Sequence, residues 1–139
     1  MNKKFAGEIK SPLLKTCKQI VPGVGSAEAE IMFIGEAPGK TEDELGQPFV
    51  GAAGKFLDQM LKSTGLARKD VYITNIVKCR PPNNRDPLPE EKEEFWPWLV
   101  AQINLIQPKL IVTLGRHSLS YFIPEPIMAK VHGTVLRRE

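Results

Sequence analysis

Three short apolar runs, spaced about forty residues apart, constrain this chain more than any other feature. The first is residues 30–36, around Ile31–Met32–Phe33–Ile34. The second is Val71–Tyr72–Ile73–Thr74–Asn75–Ile76–Val77, and the third is KLIVTLG at 109–115. Each is short, β-branched or apolar throughout, and bounded by turn residues, so each reads as a buried strand. Helical signals separate them. From Gly51, the residues Ala53, Phe56, Leu57, Met60 and Leu61 recur at three- and four-residue spacing until Gly65 stops them. Residues 89–107 read as a helix whose first turn, Glu90–Glu91, complements the positive end of the helix dipole. Pro97 inside it predicts a kink or marks the true start. Strands alternating with helices in this way predict an α/β fold: a small parallel sheet with right-handed crossovers and helices on both faces. Residues 1–29, 37–50 and 78–89 read as irregular or loop, broken by Pro12, Pro22, Gly23 and Gly25 and by the prolines of KCRPPNNRDPLP. Residues 117–122 read as a short helix and 131–139 as the start of a strand.

The 139 residues suit one domain, 1–139. A net charge of +3 permits nucleic-acid binding without arguing for it. No run approaches the roughly 18 apolar residues of a membrane span. The first ten residues, MNKKFAGEIK, carry no apolar core of a secretory signal. With two distant cysteines, Cys17 and Cys79, a reduced cytoplasmic protein is expected. Two cysteines alone do not make a zinc or iron–sulfur signature.

The first strand ends in the turn Gly35–Glu36–Ala37–Pro38–Gly39, where open α/β sheets bind ligands. The acidic cluster Glu42–Asp43–Glu44 and then Phe49 follow. Phe49 is either a core plug or a stacking platform for a flat heterocycle. The acidic cluster is either a solvated turn or a source of one carboxylate that positions water or stabilises positive charge. Asn75 sits within an apolar strand, where an unpaired amide costs roughly 1–3 kcal/mol. It either braces a neighbouring loop or points into a pocket. In a pocket its adjacent donor and acceptor match a pyrimidine carbonyl and N–H, and mismatch cytosine. The segment Arg80–Pro81–Pro82–Asn83–Asn84–Arg85 is either a polar surface loop or a stiffened phosphate contact, through Arg80, Asn83, Asn84 and Arg85. His117 reads as a helix cap, and His132 is undistinguished. Trp96 and Trp98 read as packing for their helix. An anion turn at GEAPG lacks the Lys/Ser pair of a P-loop.

Taken together, GEAPGKTED–x–x–GQPFVGAAG, VYITNIVKCRPPNNRDPLP and PKLIVTLGRHSL resemble the family-four uracil-DNA glycosylases, the iron–sulfur bacterial and archaeal type. The resemblance runs in order from about residue 11 to residue 135. It implies a three-layer α/β/α fold around a four-stranded parallel sheet. It implies hydrolysis of the N-glycosidic bond of deoxyuridine flipped out of DNA. By position, Ala37 offers backbone contacts to the base, Phe49 stacks on uracil, Asn75 pairs with its O4/N3 edge, and Glu42 lies beside the sugar. Uracil-containing DNA is the implied partner, with no membrane and no obligate protein partner.

Two departures stand out. The family ligates a [4Fe–4S] cluster with four cysteines, and the matching positions are Glu8, Ser11, Cys79 and Phe95. One thiolate cannot hold a cluster, so none is expected and Cys79 is a vestige. The family also continues into a last strand and a His-Pro motif, whereas this sequence reaches Glu139 without one. That predicts a C-terminally short domain with weakened excision, or a non-catalytic relative that binds uracil or single-stranded DNA.

Overall fold

The three apolar runs become adjacent strands of one sheet in a computed structural model that describes residues 1–115 and Ser118. Apart from Ser118, the expected helix at 117–122 lies outside the described residues, as do the expected strand at 131–139 and both histidines. In chain order the elements are helix α1 (Asn2–Glu8), strands β1 (Val24–Gly25) and β2 (Ile31–Gly35), and helices α2 (Lys40–Leu45) and α3 (Ala52–Ser63). Strand β3 (Tyr72–Asn75), helix α4 (Pro89–Ile106) and strand β4 (Leu110–Thr113) follow. The sheet order is β1-β3-β2-β4. Strand β2 pairs in parallel with β3, from Met32↔Tyr72 to Gly35↔Asn75, and in parallel with β4, from Ile31↔Leu110 to Ile34↔Thr113. Strand β1 pairs with β3 antiparallel, so the sheet is mixed rather than wholly parallel.

Alternation along β2 and β3 sorts the core into two halves. Met32, Ile34 and Tyr72 pack with Phe95, Trp98, Leu99 and Ile106 of α4 and with Leu13. Phe33 and Ile73 pack with Leu57 and Leu61 of α3. A sheet with an apolar cluster and a helix on each side is the expected three-layer α/β/α arrangement. Each fully buried large apolar side chain contributes about 1.5–3 kcal/mol. Both tryptophans lie on α4, and Trp98 is fully buried, stacked 6.0 Å from Phe5 of α1.

Three stretches differ from the sequence reading. Residues 1–29 contain α1, a 3₁₀ turn at Pro12–Lys15 and β1. Residues 37–50 contain α2, six residues long, whose Glu42 reaches back to the Gly39 N–H at 3.1 Å. Pro97 does not mark the start of α4, which runs unbroken over 18 residues. Pro97 and Glu93, one turn before it, are both exposed, so the carbonyl deprived of an N–H partner faces water. Among the described residues no helix is long and apolar enough to cross a membrane.

One polar group lies deep between β3 and α4. Lys78 is fully buried. Its Nζ donates to Thr74 Oγ1 at 3.0 Å and to the Asn75 carbonyl, and lies 5.9 Å from the Trp98 ring centroid. Thr74 Oγ1 in turn donates to the Pro22 carbonyl at 2.8 Å. Burial holds the Lys78 amine well below its ordinary pKa of 10.5. Between the lowered folded value and the unfolded one, the unfolded chain binds a proton that the native chain does not. Stability therefore rises with pH across that interval. Urea denaturation at successive pH values should show this rise, and Lys78→Met should remove up to about 1.4 kcal/mol per pH unit of slope. Equal slopes for the two proteins would mean that the buried amine is charged.

Candidate active site

Strands β2 and β3 end side by side, with Gly35 paired to Asn75, so their following loops converge at the carboxyl edge of the sheet. Asn75 is the last residue of β3 rather than the middle of a longer strand. Gly35 leaves a bare patch there. A Cβ at Gly35 would lie 2.5 Å from Asn75 Oδ1 and 2.5 Å from Phe49 Cζ, so the amide and the ring edge meet over the same spot. A cavity of about 100 Å³ opens beside them, lined by Ala37, Glu42, Phe49, Gly51, Ala52, Ala53 and Asn75. All four residues expected around a base therefore line one cavity. Asn75 is only 2% exposed, yet its carboxamide forms no hydrogen bond among the described residues.

Phe49 has φ of 54°, a conformation that bulky side chains rarely adopt. Two residues that the sequence did not flag impose it. The Arg68 guanidinium donates to the Phe49 carbonyl, to the Pro48 carbonyl at 3.2 Å and to the Gly54 carbonyl at 3.2 Å, and its Nε meets Asp58 Oδ1 at 2.5 Å. The Phe49 backbone also presses onto Gly54 where any Cβ would collide with it. The ring is half-buried against the α3-side core and also lines the cavity, so the two readings of Phe49 describe two parts of one side chain.

Glu42 holds the same loop from the other side. Its Oε1 accepts from the Gly39 N–H, and its Oε2 accepts from the N–H groups of Val50 at 3.0 Å and Gly51 at 2.7 Å. Asp43 is not part of a solvated cluster. It is buried and accepts from the N–H groups of Lys18 at 2.9 Å and Gln19 at 3.3 Å, anchoring the N-terminal segment.

The loop after β3 forms a second recess of about 240 Å³, lined by Glu36, Ala37, Pro38, Gly39, Pro81, Asn84, Arg85 and Asp86. Ala37 lines both spaces. Asn83 and Asn84 are exposed and take left-handed backbone, with φ of 55° and 56°. Arg80 Nε donates to Asn84 Oδ1 at 2.7 Å. Arg85 grips Glu91 through two bonds of 2.7 and 3.0 Å, which hold the Glu91 carboxyl below the usual carboxylate range. Asn83 thus faces solvent, whereas the Arg85 fork braces the loop against α4.

The four positions expected from the resemblance to match cluster ligands do not form a donor set. Glu8 is exposed on α1, and the Ser11 Oγ accepts from the Leu13 N–H at 3.3 Å. Phe95 is fully buried, with its ring 6.5 Å from that of Trp98. Among the described residues no three His, Cys, Asp or Glu side chains are grouped to hold a metal ion. These side chains do not fit a [4Fe–4S] cluster, which takes four thiolates. Cys79 instead faces Cys17, with 2.7 Å between their sulfurs.

Residues 22–137 match the Uracil DNA glycosylase superfamily. The chain is similar to the type-4 uracil-DNA glycosylase of Archaeoglobus fulgidus, 59% identical over 112 residues that cover 81% of this chain and 56% of that one. It is 63% identical to the type-4 enzyme of Sulfurisphaera tokodaii over 102 residues, 73% of this chain and 46% of the relative. With the type-4 enzyme of Thermotoga maritima it shares 49% over 112 residues, 81% and 58% of the two chains. The chain spans about half the length of the curated relatives it matches.

Proposed function

This chain belongs to the Uracil DNA glycosylase superfamily, and on that premise we propose that it hydrolyses the N-glycosidic bond of deoxyuridine in DNA and releases uracil. The target nucleotide leaves the stack and its base enters the cavity between Phe49 and Asn75. Phe49 stacks on the ring. The Asn75 amide donates to O4 and accepts from N3–H, and cytosine presents the reverse pattern at both atoms. Ala37 contributes backbone contacts to the base. Uracil departs as an anion from an oxocarbenium-like sugar, so groups that bind the departing charge more tightly than the neutral base lower the barrier. Glu42 places its carboxylate beside the sugar while clamping the loop that carries Phe49. Arg80, Asn83, Asn84 and Arg85 line the path of the DNA backbone, with Arg85 acting through the loop it braces. The chain works in the cytoplasm, without an iron–sulfur cluster and without an obligate protein partner.

The observation that carries this reading is the Asn75 carboxamide, unpaired among the described residues and lining a cavity beside an aromatic ring. The test is direct. A uracil-containing single-stranded oligonucleotide is incubated with the protein, treated with alkali and resolved on a gel. Scission is expected at uracil and not at cytosine. An intact strand would overturn the proposal, and a uracil-dependent thermal shift without scission would reduce the chain to a binding module.

A further inference from the structure

We propose that Cys17 and Cys79 are a disulfide-forming pair that staples the N-terminal segment to the segment after β3. The two free thiols lie 62 positions apart in sequence, yet their sulfurs are in direct contact. Both backbones are already fixed at the meeting point. The Cys17 N–H donates to the Leu13 carbonyl at 2.9 Å, and the next N–H, that of Lys18, donates to the buried Asp43 carboxylate. On the other side, the Val21 N–H donates to the Lys78 carbonyl at 2.7 Å and the Val77 N–H to the Glu36 carbonyl at 3.1 Å. The two segments that carry the sulfurs are thus tied to one another by a main-chain bond beside the thiols. The sulfurs, 2.7 Å apart, stand within about 1 Å of the length of a disulfide bond.

Exposure sets the order of reaction. Cys17 is half-buried and Cys79 fully buried, so a reagent reaches Cys17 first. The oxidant is a low-molecular-weight disulfide such as glutathione disulfide. The Cys17 thiolate attacks one reagent sulfur, forming a mixed disulfide and expelling one reagent thiolate. The Cys79 thiolate then attacks the Cys17 sulfur and expels the second. The protein loses two protons and two electrons, and the reagent disulfide takes them up as two thiols. The closed loop runs from residue 17 to residue 79 and encloses Ala37, Glu42, Phe49 and Asn75. Cross-linking a loop of this length restricts the unfolded chain and raises the melting temperature by about 10 °C.

The full chain is equilibrated with glutathione disulfide, denatured in urea with iodoacetamide, and weighed intact by mass spectrometry. The expected product is an unalkylated monomer that yields, on proteolysis, one cross-linked peptide pair containing positions 17 and 79. Thermal melts should fall by about 10 °C when reductant is added to wild type, and should not respond to reductant in Cys17→Ser or Cys79→Ala. Two alkylated cysteines after oxidation, a disulfide-linked dimer, or stoichiometric iron with visible absorbance in the purified protein would each overturn the proposal.

Discussion

Asn75→Ala is expected to lower the proposed release of uracil by about 10²–10³-fold and to leave the folded chain intact. Two features of the site require this pairing of effects. The carboxamide has no hydrogen-bond partner among the described residues, so its removal strands no buried donor or acceptor in the scaffold. The fold then loses little, and the thermal midpoint should stay within a few degrees of wild type. The chemical step loses much more. In the proposed reaction charge flows into the ring as the glycosidic bond lengthens, and an N–H aimed at O4 would bind that charge more tightly than it binds the neutral base. A donor of this kind acts mainly in the transition state, so the loss falls on kcat and on kcat/KM together. Single-turnover excision from a uracil-containing strand, with a melting curve on the same sample, measures both. A variant within about threefold of wild type would remove Asn75 from the chemistry, and one that unfolds would make it a structural residue.

The parts of this molecule that repeat a pattern were legible, and those made by single contacts were not. Strands β2 and β3 announce themselves because β-branched and apolar residues run without interruption where both sheet faces are covered, and β4, partly exposed, carries a run of the same kind. Helix α3 shows a buried stripe at Leu57 and Leu61. Strand β1 is two residues long and contains a glycine, and α2 is six residues with one buried side chain, so neither offers a period to count. The four residues that line the cavity were legible as a group because a ring, an amide and a carboxylate stand close to Gly/Pro turns. Their support was not. Arg68 reads as one cation in a polar turn, and only the folded chain brings it to three carbonyls around Phe49. Arg85 reads as a free phosphate contact until its fork onto Glu91, six residues on, is seen. Asp43 looks solvated in sequence, yet it is the acceptor that anchors residues 18 and 19. Contacts at long separation leave no trace in a local pattern, and they are what orient the local pieces.

Gly35→Ala is expected to cost at least about 10²-fold in excision while leaving stability nearly unchanged, although the substitution adds a single methyl group. The new Cβ would lie 2.5 Å from both Asn75 Oδ1 and Phe49 Cζ. Both are ends of side chains, so each can swing aside, and the β2 backbone has no need to move. Gly35 does not adopt a positive φ, and its carbonyl keeps the Ile76 N–H at 2.9 Å. The strain is therefore discharged into the site: the ring and the amide retreat by about an ångström, enough to cost roughly 10²-fold when reacting groups must be held in place. Gly54→Ala provides the contrast. Its Cβ would lie 1.9 Å from the Phe49 carbonyl oxygen, the atom to which Arg68 donates, and a backbone so held cannot easily rotate away. That variant should lose stability, by about 1–3 kcal/mol for an overpacked position, together with activity. Excision kinetics and urea melts on the two variants separate a displaced site from a displaced scaffold. Full activity in Gly35→Ala would mean that the base does not lie between Phe49 and Asn75, because no pose between them survives a methyl group at the point where they meet.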